Sequence, residues 1–372
     1  MTTPFLRSAL RRSMAQVHRV AAVRPGDAGE EVAGVFADVE REFGMLAPPI
    51  GLHAASPEVL AASWVMLRET LVADGRVDRA TKEAVAAAVS AANSCPYCVE
   101  VHGTTLAALL PGAAAPGTAR ATAEGWADWF RADGDRGRAP EEGTPGEGRP
   151  EGEPEEGAAE EGAPFPAQAG PELVGVAVTF HYLNRMVNLF LEPSPLPAGL
   201  PPAARAAARA VLGRLMRRSA RVAPPAGTSL DLLPSAPLPG DLAWAAGTPS
   251  VAGAFARAAA AIDAAGARAV PQGVRVLVAD HLAGWDGRPP GISRAWVEEA
   301  VSALPGDQRP AGRLALLTAK AAYQVDDGLV AEFRRGRPGD TALIELTSWA
   351  ALTAARELGA RLGARLPATA GG

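Results

Sequence analysis

The sequence predicts an all-α fold, on three observations. Hydrophobic residues make up 48% of the chain and aromatic residues only 5%, so alanine and leucine carry most of the apolar content. Both are strong helix formers. Apolar residues recur at three- and four-residue spacing through most of the 372 residues, which is the helical period. No sustained run alternates β-branched and polar residues, so no sheet is expected.

Each element follows from that period and from its punctuation. Over 4–23, Leu6, Leu10, Met14, Val17 and Ala21 share one face, with Arg7, Arg11 and Arg12 between them. Residues 1–30 are therefore expected to hold an N-terminal amphipathic helix. It packs on its own chain or a neighbouring subunit rather than on a membrane. Val32, Val35, Phe36, Val39 and Phe43 define a second helix, 30–43, closed by Pro48 and Pro49. Ser56-Pro57-Glu58 is a cap and first turn, and opens a helix to about Ala73 with Trp64, Met66 and Leu67 as core. Asp78 starts a helix over 79–93, broken at Asn93-Ser94. The next runs from Cys95-Pro96 to Leu110 and stops at Pro111-Gly112. Residues 133–168 are Pro, Gly and Glu in irregular order and predict a disordered acidic insert. Helical pattern resumes over 171–191 and ends before Pro193 and Pro195. A proline-rich connection, 193–240, holds one basic helix at about 201–219. Helices are then expected at 249–266, 271–284, 292–303, 309–324 and 339–365.

The halves resemble each other. Pro57-Glu58-Val59 and Pro249-Ser250-Val251 open comparable helices, and at that offset of 192 residues the helix 79–93 falls on 271–285. Each half closes on a long helix. The organisation predicted is one helical domain over 31–192, duplicated in tandem over 241–366.

Charge and cysteine usage exclude several classes. The net charge is -5, yet Ala139 to Ala163 alone holds nine Glu and one Arg, a local -8, leaving +3 for the rest. No basic footprint for nucleic acid is present. No stretch approaches 18 uninterrupted apolar residues, so no membrane span is expected. The N-terminus lacks the apolar core of a secretion signal, and the expected location is the cytoplasm. The only two cysteines form one Cys-x-x-Cys, which in such a chain points to catalysis or redox sensing rather than structural disulfides. With His102 they give at most three metal ligands, and His18, His53, His181 and His281 are scattered, so no metal and no cofactor is expected.

The chemistry lies between Glu83 and His102. With Cys95 as N-cap and Pro96 as the first helical residue, Cys98 falls in the first turn. Unpaired N–H groups and the helix dipole favour a thiolate there. Cys95 and Cys98 share a face and can close a disulfide. His102, one turn beyond Cys98, can take its thiol proton. Glu83 stands on the preceding helix.

Glu83, Cys95, Cys98 and His102 at these spacings resemble the alkylhydroperoxidase D-like members of the carboxymuconolactone decarboxylase superfamily. The segment His181-Tyr182-Leu183-Asn184-Arg185 is similar to the Asn-Arg-bearing last helix of that family. The resemblance covers roughly 35–130 and 170–192. It implies an alkylhydroperoxidase D-like helical domain with a degenerate second copy. It also implies that Cys98 attacks the peroxide, Cys95 resolves the sulfenic acid to a disulfide, and Glu83 and His102 relay protons. A hydroperoxide substrate, a dithiol reductant or lipoyl-bearing adaptor protein, and a homo-oligomer follow as partners.

The chain departs from the family pattern at two places. Tyr97 stands where better-characterised members carry a second histidine, and its phenol is a poor base at neutral pH. At the 192-residue offset, Glu83, Cys95, Cys98 and His102 become Arg275, Gly287, Pro290 and Arg294, so the second copy carries no dithiol. His181 reads either as a core histidine or, because the family's last helix packs near the dithiol, as a pocket residue. Asn184 and Arg185 read as structural bonds and ion pairs. Trp126 and Trp129 either cap the pocket or dock their own helix. The alternative to an enzyme is a non-catalytic redox sensor or structural assembly module carrying the same dithiol.

Overall fold

The computed structural model describes residues 12–110, 129–130 and 165–366, and among these it is helical throughout, with no strand. The first half contains α1 (Glu30–Glu42), the single turn α2 (Pro48–Gly51), α3 (Pro57–Leu67), α4 (Arg79–Ala92), α5 (Pro96–Leu109) and α6 (Gly170–Phe190). The connection carries α7 (Pro202–Ser219). The second half contains α8 (Pro249–Ala269), α9 (Gln272–Leu282), α10 (Ala295–Val301), α11 (Arg309–Ala321), α12 (Asp327–Gly336) and α13 (Asp340–Ala364). No described helix is long and apolar enough to cross a membrane.

The centre follows from the helices that are buried on every face. Residues Val59 to Leu67 of α3 are all buried, as are all but one of the 21 residues of α6. α6 is enclosed by α13, α4 and α3, and α3 by α8 and α1. Like helices of the two halves therefore meet, α3 on α8 and α6 on α13, as in an internal two-fold. The openings of α3 and α8 also match: Ser56 and Thr248 cap them at φ/ψ of −134°/98° and −134°/100°, each followed by proline. A Cβ on Gly266 of α8 would collide with the Trp349 indole of α13, so glycine permits that close crossing.

α3 continues into one π-helical turn, Arg68–Val72. The fully buried Arg68 guanidinium donates to Glu42 at 2.7 Å, Glu69 at 2.6 Å and Thr228 Oγ1 at 2.6 Å. Glu69 in turn accepts the Gly227 N–H and the Ser229 hydroxyl, both at 2.7 Å. A buried ion pair is tolerated when its remaining polar atoms are satisfied in this way. The knot pins the connection onto α3.

Four expectations need correction. The N-terminal helix of residues 1–30 does not continue through its described part: Arg12–Gln16 is a 3-10 turn, and the chain then runs without helix to Gly29, with a bend at Arg19 and a turn at 25–27. The last-turn carbonyls of α6 lack helical partners, and this segment supplies them. The His18 N–H donates to the Phe190 carbonyl at 2.9 Å and Arg19 Nη1 to the Leu189 carbonyl at 2.7 Å. The helix over 30–43 ends at Glu42 through the left-handed Gly44 (φ 85°), and Pro48 starts α2 rather than ending α1. Of the acidic insert 133–168, residues 133–164 lie outside the described residues, but the end is ordered. Phe165 is buried 4.7 Å from the Trp129 ring and stacks on Phe130, and Ala167–Ala169 forms a 3-10 turn. α12 lies where no helix was expected, its polar face having masked Val330 and Phe333, which are buried.

Candidate active site

The link between α4 and α5 places the two thiols. α4 is capped at its start by Asp78, which accepts the Thr81 N–H at 3.0 Å. At its end, the Cys95 N–H donates to the Ser90 carbonyl at 3.0 Å and the Ser94 N–H to the Ala91 carbonyl at 3.1 Å. This is the Schellman pattern of helix termination, with Ser94 at the left-handed position (φ 51°) where glycine is usual. Cys95 then turns from ending α4 to capping α5: its backbone is extended, and its carbonyl accepts the Val99 N–H at 3.0 Å. Pro96 occupies the first helical position, where a missing N–H costs nothing.

Asn93 is the hub that holds this turn. Its Nδ2 donates to Asn184 Oδ1 at 3.0 Å, its side-chain amide lies 3.0 Å from His181 Nδ1, and its carbonyl accepts Asn188 Nδ2 at 3.2 Å. Asn184 Nδ2 donates to Ser90 Oγ at 3.0 Å. Arg185 Nη1 donates to the His181 carbonyl at 2.6 Å and to Asn93 Oδ1 at 3.4 Å. The second half completes the clamp: Arg185 Nε donates to the Ala319 carbonyl at 2.8 Å, and the guanidinium sits 5.8 Å from the Trp285 ring centre. Burial lowers the Arg185 pKa to about 10, which leaves it charged at neutral pH. Burial, and then the Arg185 charge, hold the His181 imidazole well below its usual value.

Glu83 and His102 form a buried pair. His102 Nδ1 lies 2.6 Å from Glu83 Oε2, and Arg79 Nε donates to Glu83 Oε1 at 2.8 Å. Burial alone would raise the Glu83 carboxyl, but Arg79 and His102 outweigh it and keep the group below its usual value. A carboxylate on Nδ1 fixes the tautomer and leaves Nε2 as the basic nitrogen. The His102 ring stands edge-on to Phe180, centroids 4.5 Å apart.

Both cysteines are buried free thiols. Burial pushes the Cys98 thiol well above its usual value; a hydrogen bond with Cys95 adds to this and the Asn184 amide opposes it. The thiol therefore needs a base before it can act as a thiolate. Cys98, Tyr97, Val101 and His102 form one wall of a cavity of about 300 Å³, and Cys95 lies behind them, off its surface. Phe180 and Leu183 of α6 form a second wall. The roof comes from Phe43 to Pro49, Pro195 to Pro197, and Leu212 and Met216 of α7, latched where Gln16 Nε2 donates to the Pro195 carbonyl at 2.8 Å. Apart from Gln16 and the three site side chains, the lining is apolar.

Glu83, Cys95, Cys98 and His102 thus converge, and Tyr97 faces the cavity. Burial, and then the two cysteines, raise the Tyr97 phenol far above its ordinary range. His181 does not line the cavity; its ring faces Asn93. Trp129 packs on Phe130 and Phe165, away from the dithiol, and Trp126 lies outside the described residues. Trp64, Met66 and Leu67 are core, and Leu67 also reaches the cavity. Sequence reasoning missed Asn93 as a hub and the connection as a roof, since neither has a local signature. It also passed over Arg79, although its spacing of four residues from Glu83 was visible.

Residues 58–123 match the sequence profile of the Carboxymuconolactone decarboxylase family. The chain is 38% identical over 358 residues to a protein of Mycobacterium tuberculosis (strain ATCC 25618 / H37Rv) named Alkyl hydroperoxide reductase Rv2159c. That alignment covers 94% of this chain and 95% of the relative. No solved structure matches the chain.

Proposed function

Because this chain belongs to the carboxymuconolactone decarboxylase family, we propose that it is an alkylhydroperoxidase-like enzyme that reduces organic hydroperoxides with electrons from an external dithiol. The observation that carries the reading is Cys98 and His102 on one wall of an apolar cavity, with Glu83 paired to His102 off the cavity surface and the Cys95 thiol hydrogen-bonded to Cys98. The name of the mycobacterial relative supports the same chemistry.

The cycle has three steps. His102 takes the Cys98 proton, and the thiolate sulfur attacks the outer oxygen of ROOH. The O–O bond breaks, the leaving alkoxide takes the proton from His102 as ROH, and Cys98 becomes a sulfenic acid. The Cys95 thiol then attacks that sulfur and displaces water, which leaves a Cys95–Cys98 disulfide. An external dithiol reduces the disulfide, itself becomes a disulfide, and restores both thiols. The Glu83 carboxylate stabilises the imidazolium while it exists. An apolar cavity of about 300 Å³ favours a peroxide with an alkyl or aryl group over hydrogen peroxide. The donor is a small dithiol or a lipoyl-bearing adaptor protein in a reducing compartment, the cytoplasm. The fused second half takes the place of a neighbouring subunit against α3 and α6, and the oligomer is built from these paired units.

Steady-state consumption of cumene hydroperoxide with dithiothreitol, and then with dihydrolipoamide, tests this. Many turnovers per chain are expected, none in Cys98→Ser, and a trapped sulfenic acid in Cys95→Ser. A protein that consumes one equivalent and stops is a sensor. Turnover retained by Cys98→Ser removes the mechanism.

A further inference from the structure

A second cavity, of about 730 Å³, lies wholly within the second half. Its walls are the end of α8, the first turns of α9 and α11, and the end of α12. Six charged side chains line it. Two are neutralised elsewhere: Arg268 pairs with Glu58 and Glu345, and Glu332 with Arg313. What remains is Arg275, Arg335 and Arg337 against the single carboxylate of Asp307.

The backbone has the same sign. Pro271 precedes α9 and Gln308 precedes α11, and neither helix has a capping side chain or an acidic residue in its first turn. Their free N–H groups and dipoles attract an anion. One buried donor on the wall is unsatisfied: Arg275 Nε has no acceptor, although its Nη2 reaches Gln272 Oε1 at 3.2 Å. A buried guanidinium N–H without an acceptor is costly. At the 192-residue offset Arg275 stands where the first half has Glu83, so the charge at that helix position is reversed.

We propose that this cavity is a binding site for a small oxyanion, with the phosphate or carboxylate groups of one ligand held by Arg275 and Arg337 and screened from one side by Arg335. A planar guanidinium fork matches both groups. The proposal is independent of what Cys98 does.

Isothermal titration of the full chain, at ionic strength fixed with sodium chloride, tests it in two arms, sodium pyrophosphate and sodium citrate. Saturable binding is expected in at least one arm, and the arm that binds tells a phosphate ligand from a polycarboxylate. Arg275→Gln and Arg337→Gln should each weaken it about tenfold, the loss of one charged hydrogen-bonding group. Peroxide turnover should be unchanged. If Arg275→Gln does not fold, Arg337→Gln alone decides. Absence of saturable heat in both arms, or undiminished binding in the folded variants, overturns the site.

Discussion

Glu83→Gln isolates the charge of the buried pair while keeping its shape. Glu83 is fully buried, its Oε2 lies 2.6 Å from His102 Nδ1, and its Oε1 accepts from Arg79 at 2.8 Å. The amide still fills the space and can still accept one bond, so the fold should survive. What disappears is the negative charge facing an imidazole that must become cationic when it takes the Cys98 proton. A hydrogen bond to a charged group contributes about 1.5–3 kcal/mol. Each 1.36 kcal/mol of barrier is a factor of about ten, so sulfenic acid formation should slow about 10- to 150-fold. The Glu83 carboxyl sits below its usual value, so it is ionised at neutral pH and the deficit should be seen there. Stability should also fall by about 2–3 kcal/mol, because Arg79 loses its counter-charge in a largely buried site. Single-turnover peroxide reduction by the pre-reduced protein, followed by quenched mass analysis of Cys98, reads the rate directly. A Glu83→Gln rate within twofold of the wild type would refute the argument that this carboxylate supports the proton transfer.

Arg185→Lys keeps the charge but removes the fork that joins Ala319, His181 and Asn93. It should slow Cys98 alkylation by iodoacetamide and peroxide turnover by roughly tenfold, the loss of one charged hydrogen bond. An alkylation rate equal to wild type would show that the clamp does not position the thiol. Arg68→Ala leaves Glu69 buried without its partner and should cost about 3–5 kcal/mol in urea unfolding; a loss under 1 kcal/mol would contradict the reading of that knot. Acid should destabilise the fold through His53, which burial lowers to about 3, and through His181, also held well below its usual value. A histidine depressed in the folded state binds fewer protons there than when unfolded. Its contribution is therefore complete above about pH 6.5 and is lost below it, at about 1.4 kcal/mol per pH unit for each residue. A urea midpoint that stays flat from pH 7 to pH 5 would exclude both. Ser94→Gly relieves a left-handed serine and should stabilise the chain by up to about 1 kcal/mol in the same assay.

The local rules of the chain reach a long way into this structure. Ser56-Pro57 and Thr248-Pro249 open their helices with proline in the first turn, α4 ends where Asn93-Ser94 puts its end, and α5 starts at Pro96. The four residues at family spacing do converge, because Glu83 and His102 sit on two helices joined by a turn too tight to separate them. The same rules failed at the N-terminus. The apolar period of Met14 and Val17 fits a helix, but the open carbonyls at the end of α6 bond the non-helical backbone at His18 instead.

By itself, then, the sequence determined the helical class, the duplicated order of elements and the dithiol's position at a helix start. Each of these is written in residues a few positions apart. Tertiary structure alone decided what surrounds the sulfurs. The connection reads as a linker, yet it roofs the cavity, since Leu212 and Met216 have nowhere else to bury. His181 reads as either a core or a pocket residue, and the tertiary structure turns it to Asn93, 88 positions away. Arg185 is steadied by Ala319 and Trp285 from the half without cysteines. Contacts between residues 88 or more positions apart leave no periodic or local trace in one chain, because they are set by how whole helix faces fit together.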